Sequence, residues 1–466
     1  MKAVILGAGP SGLAATHELA NYGAACTVLD RHDRPGGLCR TLEFDGFLFD
    51  IGGHRFLSRS VEVNALWKEV LGPDLLIRSR KSRIYFRGKL YDYPLRLWSA
   101  LRKLGFMEAF RCMASYAAAQ GHRPETGASF EAWMIRRFGR RLYENFFKSY
   151  TEKVWGIPCS RLSSDWASQR IQKLSLRKAI QGALFSEGNA SLKTLSGKFY
   201  YPRLGPGQFC DRLRERCEER AASFYMGREI HEIQTRDDRV DSVTFGQNGS
   251  GRQSLEGDFF LSSIPVSVLV ERMRPSVPPS VLQAARSLRF RSFISVNLIY
   301  RAESLFEDHW VYLHSPEVRA GRVQNYKNWS REMVPDEKMT SLGVEYFVEE
   351  GDDLWLKSDE ALVQLAVSEL ELLGLASARD FEKGFAVRVP KAYPVYGPGY
   401  SEAVAHIRQY LDRFSNLQTM GRAGLFRYNN SDHALLTGLF AARNVMGEKH
   451  DLWSVDPDLQ LADDEA

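Results

Sequence analysis

Six residues, Gly7-Ala8-Gly9-Pro10-Ser11-Gly12, constrain this chain more than any other stretch. They stand between a short apolar run, Ala3 to Leu6, and a segment from Pro10 to Tyr22 whose Leu13, Ala14 and Leu19 recur at helical spacing. Ala24 to Leu29 is apolar again and ends in Asp30. The order is strand, glycine turn, helix, strand. At this spacing Gly7 permits the tight turn, Gly9 admits a pyrophosphate, and Gly12 lets helix and strand pack closely. Amides at the helix N-terminus then face the phosphate charge, and Asp30, about twenty residues further on, can accept both hydroxyls of an adenosine ribose. The segment predicts a Rossmann-type nucleotide-binding unit, against the alternative of an apolar hairpin with incidental glycines.

A chain of 466 residues exceeds what one hydrophobic core supports, so at least two structural units sharing a cleft are expected. The net charge of +5 comes without a run of consecutive basic residues, which argues against a nucleic-acid partner. A few arginines collecting a diphosphate fit that balance. Cys26, Cys39, Cys112, Cys159, Cys210 and Cys217 form no C-x-x-C pair, and they read as reduced thiols of a cytoplasmic protein. No window reaches the roughly 20 apolar residues of a membrane span. There is no H-E-x-x-H and no G-x-S-x-G, so neither a metal site nor a serine hydrolase is expected.

Along the chain the pattern divides into five stretches. Residues 1–60 open the nucleotide-binding unit, and 61–195 read as a mainly helical insertion, with amphipathic stretches at 63–71, 98–119 and 129–149. Residues 196–264 return to the nucleotide-binding unit through a helix near 207–220, alternating strands at 224–260, and a strand at 259–264 that ends before Pro265. Residues 265–399 carry strands near 293–300, 310–313, 323–329 and 344–349 and a helix at 358–373, together a sheet-containing substrate unit. Residues 400–466 supply a helix, a short strand at 417–421, a closing helix at 432–445 and an acidic tail. The expected class is α/β: a Rossmann-type FAD-binding domain with an inserted helical domain and a second, sheet-containing substrate domain.

FAD rather than NAD is indicated by Asp33-Arg34-Pro35-Gly36-Gly37-Leu38-Cys39-Arg40-Thr41, which resembles the glycine doublet after the second strand in the amine-oxidase-like flavoprotein superfamily. That superfamily often has arginine directly after the doublet. Leu38 stands there instead, so a phosphate contact would fall to Arg40 or Arg31.

Further motifs make the chain similar to the UDP-galactopyranose mutase family. Phe49-Asp50-Ile51-Gly52-Gly53-His54 resembles its glycine-histidine loop against the isoalloxazine ring, which makes His54 the residue beside the flavin, with Gly52 and Gly53 allowing close approach. The tyrosine and tryptophan of Ser149-Tyr150-Thr151-Glu152-Lys153-Val154-Trp155 resemble the pair that holds the nucleotide base. Arg170 resembles the mobile-loop arginine over the diphosphate. The stretch from Ala320 to Ser330 resembles the strand presenting an arginine to the active centre, here Arg322. The segments 388–396 and 421–432 resemble the closing segments that bring Tyr393 and Tyr428 to the diphosphate and Gly421 and Arg422 to the flavin. Departures are Asn429, Asn430 and Ser431 before Asp432, where the family has an aspartate shortly after the last tyrosine, and Arg55 and Leu57 after His54.

The resemblance implies pyranose–furanose interconversion of a nucleoside-diphosphate hexose through N5 of reduced FAD, with NAD(P)H as an external reductant to consider. Arg322, Arg170, Tyr393 and Tyr428 would stabilise the departing diphosphate, and His54 would position or polarise the flavin edge. The alternative is an FAD-dependent oxidoreductase resembling amine oxidase, phytoene desaturase or protoporphyrinogen oxidase. It would be favoured by a membrane-facing helix at 98–119, where Leu101, Leu104, Phe106, Met107 and Phe110 are otherwise expected to pack in the core. A flavin-holding protein without catalysis is the third reading.

Overall fold

The computed structural model describes residues 1–93, 103–120, 129–163, 197–247 and 251–455. A five-stranded parallel sheet runs in the order Leu417–Thr419, Phe259–Ser262, Lys2–Leu6, Ala25–Leu29, Ser223–Tyr225. Lys2–Leu6 takes its centre because Ala3, Val4, Ile5 and Leu6 are all buried, the pattern of a strand covered on both faces. The helix Pro10–Asn21 covers one face and packs on the helices Gly207–Glu218 and Ser431–Val445. Gly438 permits the second crossing, since a Cβ there would lie 2.1 Å from the Ser11 carbonyl oxygen. Leu13, Leu19, Leu435, Leu436 and Leu439 are buried in the resulting core, each worth roughly 1.5–3 kcal/mol of transfer free energy. The alternating stretch after Phe224 forms a separate four-stranded sheet, in the order Gln253–Glu256, Arg239–Gly246, Glu229–Arg236, Met273–Arg274.

The second large layer is a seven-stranded sheet in the order Phe381–Pro394, Phe290–Tyr300, Thr340–Val348, Arg322–Asn325, Trp310–Leu313, Ser82–Phe86, Lys89–Asp92. Its last two strands come from the stretch expected to be mainly helical, as does Leu75–Ser79, which pairs with Lys198–Pro202. The hairpin that joins them turns at Arg87 and Gly88, both at positive φ (49° and 71°). Arginine in place of the asparagine or aspartate usual at such a turn concealed it in the sequence. The stretch 323–329 is a strand only over Arg322–Asn325. Tyr326–Trp329 then makes one helical turn that buries both terminal aromatics. The long strand Phe381–Pro394 lies at the sheet edge, where half-exposed charged residues blur its pattern.

Helices form at Val61–Leu71 and Phe130–Phe138, and short helical segments continue from Arg140 to Trp155. The helix Phe106–Ala119 departs from expectation: Phe106, Met107 and Phe110 are 89%, 64% and 65% exposed instead of packed in the core. It turns Glu108 and Cys112 inward, and the Glu108 carboxylate accepts hydrogen bonds from Arg141 (2.6 Å) and Asn145 (2.9 Å). Leu104 is partly buried, and Leu101 lies outside the described residues. Among the described residues no helix is long and apolar enough to cross a membrane.

Candidate active site

The first turn is built almost wholly from backbone. A Cβ on Gly12 would sit 1.9 Å from the Gly7 carbonyl oxygen, and one on Gly7, whose φ is +105°, would meet Ser263 Oγ at 2.3 Å. Gly9, by contrast, has nothing within 4 Å of its Cβ position. It precedes the helix Pro10–Asn21, whose N-terminus is capped by no side chain, so first-turn amides are left for an external anion. The glycine doublet closes on this turn: the Gly36 amide donates to the Ala8 carbonyl at 2.7 Å, and a Cβ on Gly37 would lie 3.4 Å from the Gly9 Cα. Gly421 completes the enclosure against Ser11. Two backbone segments thus meet without intervening side chains beside an uncapped helix end, which fits a dinucleotide pyrophosphate.

Asp30 ends the second strand of this unit and is buried. Its carboxylate accepts the Ala8 amide (2.7 Å) and the His32 amide (2.8 Å), so it ties the glycine turn to the following loop while each oxygen keeps a lone pair for a ligand. Burial raises its pKa against the opposing pull of those two amides and of Arg40 and Arg31. Arg40 lies in the cradle with Nε donating to the Gly37 carbonyl at 2.9 Å, whereas Arg31 is exposed and among the described residues hydrogen-bonds only the His32 ring.

The glycine-histidine loop joins this unit to the seven-stranded sheet. Asp50, just before it, is anchored by hydrogen bonds from Tyr201 (2.5 Å) and Thr41 (2.9 Å), and its backbone carbonyl accepts from the Tyr326 hydroxyl (2.8 Å). Gly53 packs on Gln324: a Cβ would fall 2.3 Å from Oε1. Gly52 packs on Glu345 in the same way, at 3.3 Å. His54 Nδ1 lies 3.0 Å from the Gly52 carbonyl. A carbonyl only accepts, so Nδ1 carries the hydrogen. Burial, then the Arg422 and Arg322 charges, lower the imidazole pKa to about 3, so the ring is neutral and Nε2 is left as an acceptor.

Beneath the loop lies a buried charge pair. Glu345 sits in the middle of the fully buried strand Thr340–Val348 and accepts from Arg322 Nη2 (2.6 Å) and Nε (3.1 Å) and from Gln324 Nε2 (2.6 Å). Burial opposes the Arg322 charge, and the Glu345 carboxylate overcomes it, holding Arg322 well above the ordinary guanidinium range. Arg322 is therefore a cation largely neutralised by its own sheet.

Arg422 is clamped by the Asn429 carbonyl, at 2.8 Å from Nε and 2.6 Å from Nη2, and lies 4.8 Å from the Tyr428 ring centroid and 5.5 Å from that of Tyr393. The two tyrosine rings stack at 5.5 Å and 19°. Tyr150 stacks on His314 (4.4 Å, 11°) and meets Tyr312 edge-on at 5.6 Å. Burial holds the Tyr150 and Tyr393 phenols above their usual range, which keeps them neutral hydrogen-bond donors.

The structure thus brings His54, Arg322, Tyr150, Tyr393, Tyr428 and Arg422 into one electrostatically connected cluster. Trp155 is 2% exposed and turns away from Tyr150 to contact the Tyr428 ring at 5.6 Å. Arg170 lies outside the described residues. Sequence reasoning missed Glu345, Gln324, Tyr312 and the Asp50 anchor. Glu345 alone left a signal, a carboxylate inside the otherwise uncharged run Thr340–Val348, which needs a buried partner.

A family model for flavin-containing amine oxidoreductases matches residues 10–446. A probable UDP-galactopyranose mutase of Klebsiella pneumoniae is 27% identical over 167 residues, 34% of this chain and 42% of that protein. Coproporphyrinogen III oxidase of Staphylococcus aureus is 25% identical over 227 residues, 44% and 47% of the two chains. The matched parts thus span less than half the length of these curated relatives. Among solved structures, reduced UDP-galactopyranose mutase superposes with a TM-score of 0.85 at 22% identity, covering 98% of both chains. Putrescine oxidase bound to putrescine gives 0.62 at 17%, covering 96% of this chain and 100% of the other. The glycine cradle, the shared fold and a family match over nearly the whole length lead to one conclusion: this chain belongs to the flavin-containing amine oxidoreductase family and is an FAD-dependent enzyme.

Proposed function

We propose that the chain interconverts pyranose and furanose forms of a nucleoside-diphosphate hexose, using reduced FAD. The observation that carries this reading is the cluster of tyrosines and fixed guanidinium groups, Tyr150, Tyr393, Tyr428, Arg322 and Arg422, next to His54, with the Tyr150 and Tyr393 phenols held neutral by burial. Phenol donors and planar cations suit negative charge growing on a departing diphosphate. Gly7, Gly9, Gly12, Gly36, Gly37 and Gly421 would hold the cofactor's pyrophosphate, Asp30 its ribose, and the Gly52–His54 loop its ring. When bound and reduced, the flavin supplies a nucleophilic nitrogen for group transfer at the anomeric carbon. The protein's part is to orient the sugar under the loop, donate hydrogen bonds from the Tyr150 and Tyr393 phenols that burial keeps neutral, and keep His54 neutral as an acceptor.

A second reading, net oxidation of an apolar or amine substrate, is favoured by the exposed Phe106, Met107 and Phe110, which could meet a lipid-borne substrate. One experiment separates the two. Dithionite-reduced protein is incubated anaerobically with a panel of nucleoside-diphosphate hexoses, and ring forms are resolved by chromatography. Interconversion with no net change in flavin oxidation state is expected. Bleaching of the oxidised flavin by an amine or polyene without added reductant, with every sugar nucleotide inert, would refute the mutase reading.

A further inference from the structure

Arg55, directly after His54, is left unused by the cluster above, as is Arg80. The strand Lys198–Pro202 brings them together. Phe56 exchanges two backbone hydrogen bonds with Tyr200 on one edge (3.0 and 2.9 Å), and Leu75–Ser79 pairs along the other. The Arg80 amide donates to the Gly197 carbonyl at 2.7 Å. Its guanidinium lies 5.9 Å from the Tyr93 ring centroid, but among the described residues Nη1 is sealed from solvent with no hydrogen-bond acceptor and Nη2 reaches only the Tyr93 carbonyl at 3.4 Å. The charged and phenolic groups acting on it are Arg55, Tyr93 and Tyr312, with no carboxylate among them. Arg55 itself makes no hydrogen bond or ion pair among the described residues.

Several other arginines are paired with acids. Arg203, Arg319, Arg322 and Arg443 each meet a carboxylate. Two neighbouring guanidinium groups have no carboxylate partner among the described residues and one keeps a buried unpaired donor, an arrangement that costs stability. A bound oxyanion would recover it. The position connects with the cleft, because Tyr312 lies 4.8 Å from the Tyr93 ring and 5.6 Å from that of Tyr150 and stands opposite Arg322 across the sheet.

We propose that Arg55 and Arg80 form an oxyanion subsite at the Tyr312 side of the cleft that takes the diphosphate of the substrate. The assignment rests on the sugar-nucleotide reading and extends it: Glu345 already shares the charge of Arg322, whereas Arg55 and Arg80 meet no carboxylate among the described residues.

The test is calorimetric titration of inorganic pyrophosphate, and separately of succinate, into the flavin-loaded oxidised protein and its Arg80→Met, Arg80→Lys and Arg55→Met variants. Pyrophosphate should bind the parent and bind each Met variant roughly tenfold to a hundredfold more weakly, the effect of losing a charge-assisted hydrogen bond. Arg80→Lys should recover part of the loss. Flavin absorbance reports folding, and Arg55→Met, which removes no internal bond, keeps the test decisive if Arg80→Met fails to fold. Unchanged pyrophosphate binding in the variants, or succinate binding as tightly as pyrophosphate, would overturn the subsite. Inert sugar nucleotides together with Arg55- and Arg80-dependent pyrophosphate binding would refute the mutase reading and leave the subsite standing.

Discussion

The two halves of the site are made of different material. The proposed cofactor cradle is backbone: glycines at 7, 9, 12, 36, 37 and 421, where an added methyl group either crowds neighbouring atoms or enters open space. The proposed substrate side is side chain: a buried Arg322–Glu345–Gln324 unit, a clamped Arg422 and four tyrosines, Tyr150, Tyr312, Tyr393 and Tyr428, from four separated segments. Backbone recognition tolerates many substrates and only one cofactor geometry. Side-chain recognition reverses that, which fits a family whose relatives act on such different molecules.

The contrast can be broken by substitution. The largest effect is expected at Glu345→Ala, which strands the Arg322 charge in a buried sheet and should cost about 3–5 kcal/mol in denaturant unfolding. Glu345→Gln should recover part of it, and an unchanged midpoint for Glu345→Ala would show the pair to be solvated. Next, Gly12→Ala should cost about 1–3 kcal/mol through its clash with the Gly7 carbonyl, and should also strip the flavin. Gly9→Ala should lose flavin while the flavin-free protein melts as the parent does, because its Cβ enters open space. Equal destabilisation by both would erase the distinction between packing glycine and ligand glycine.

The smallest effect concerns pH. His54 titrates near 3 in the folded chain, against about 6.5 unfolded, so between these values the unfolded chain binds more protons. Its contribution to stability is therefore present above about 6.5 and is lost as pH falls toward 3. His54→Asn should flatten that part of the melting profile, and the pH–rate curve of the parent should show no limb near 6.5 from this ring. A His54 imidazole resonance titrating near neutrality in NMR would contradict the buried, neutral assignment.

Most of the cradle was legible before any coordinates. Gly7, Gly9, Gly12 and Asp30 act over short sequence separations, and each residue type is dictated by backbone geometry. The glycine doublet and the Gly52–His54 loop are legible only through the family resemblance of their segments. Tyr150 and Trp155 read as one clamp, but they sit five apart on a helix, about 140° around its axis, and so face different neighbours. Arg322 was recognised as a site residue without its partner, since Glu345 is 23 residues away on the neighbouring strand and only strand register sets them together. Arg80 escapes sequence reading because the strand just before it, Leu75–Ser79, falls in a stretch that reads as mainly helical.

Spacing alone displays the α/β class and the glycine turn of the parallel sheet, because a glycine's lack of a side chain is a local property. Only the tertiary structure decided which cations are free and which are spent, that His54 is a neutral acceptor, and that Phe106 and Phe110 face outward. Charge state and exposure depend on what lies within a few ångströms, and for these residues those neighbours come from distant parts of the chain.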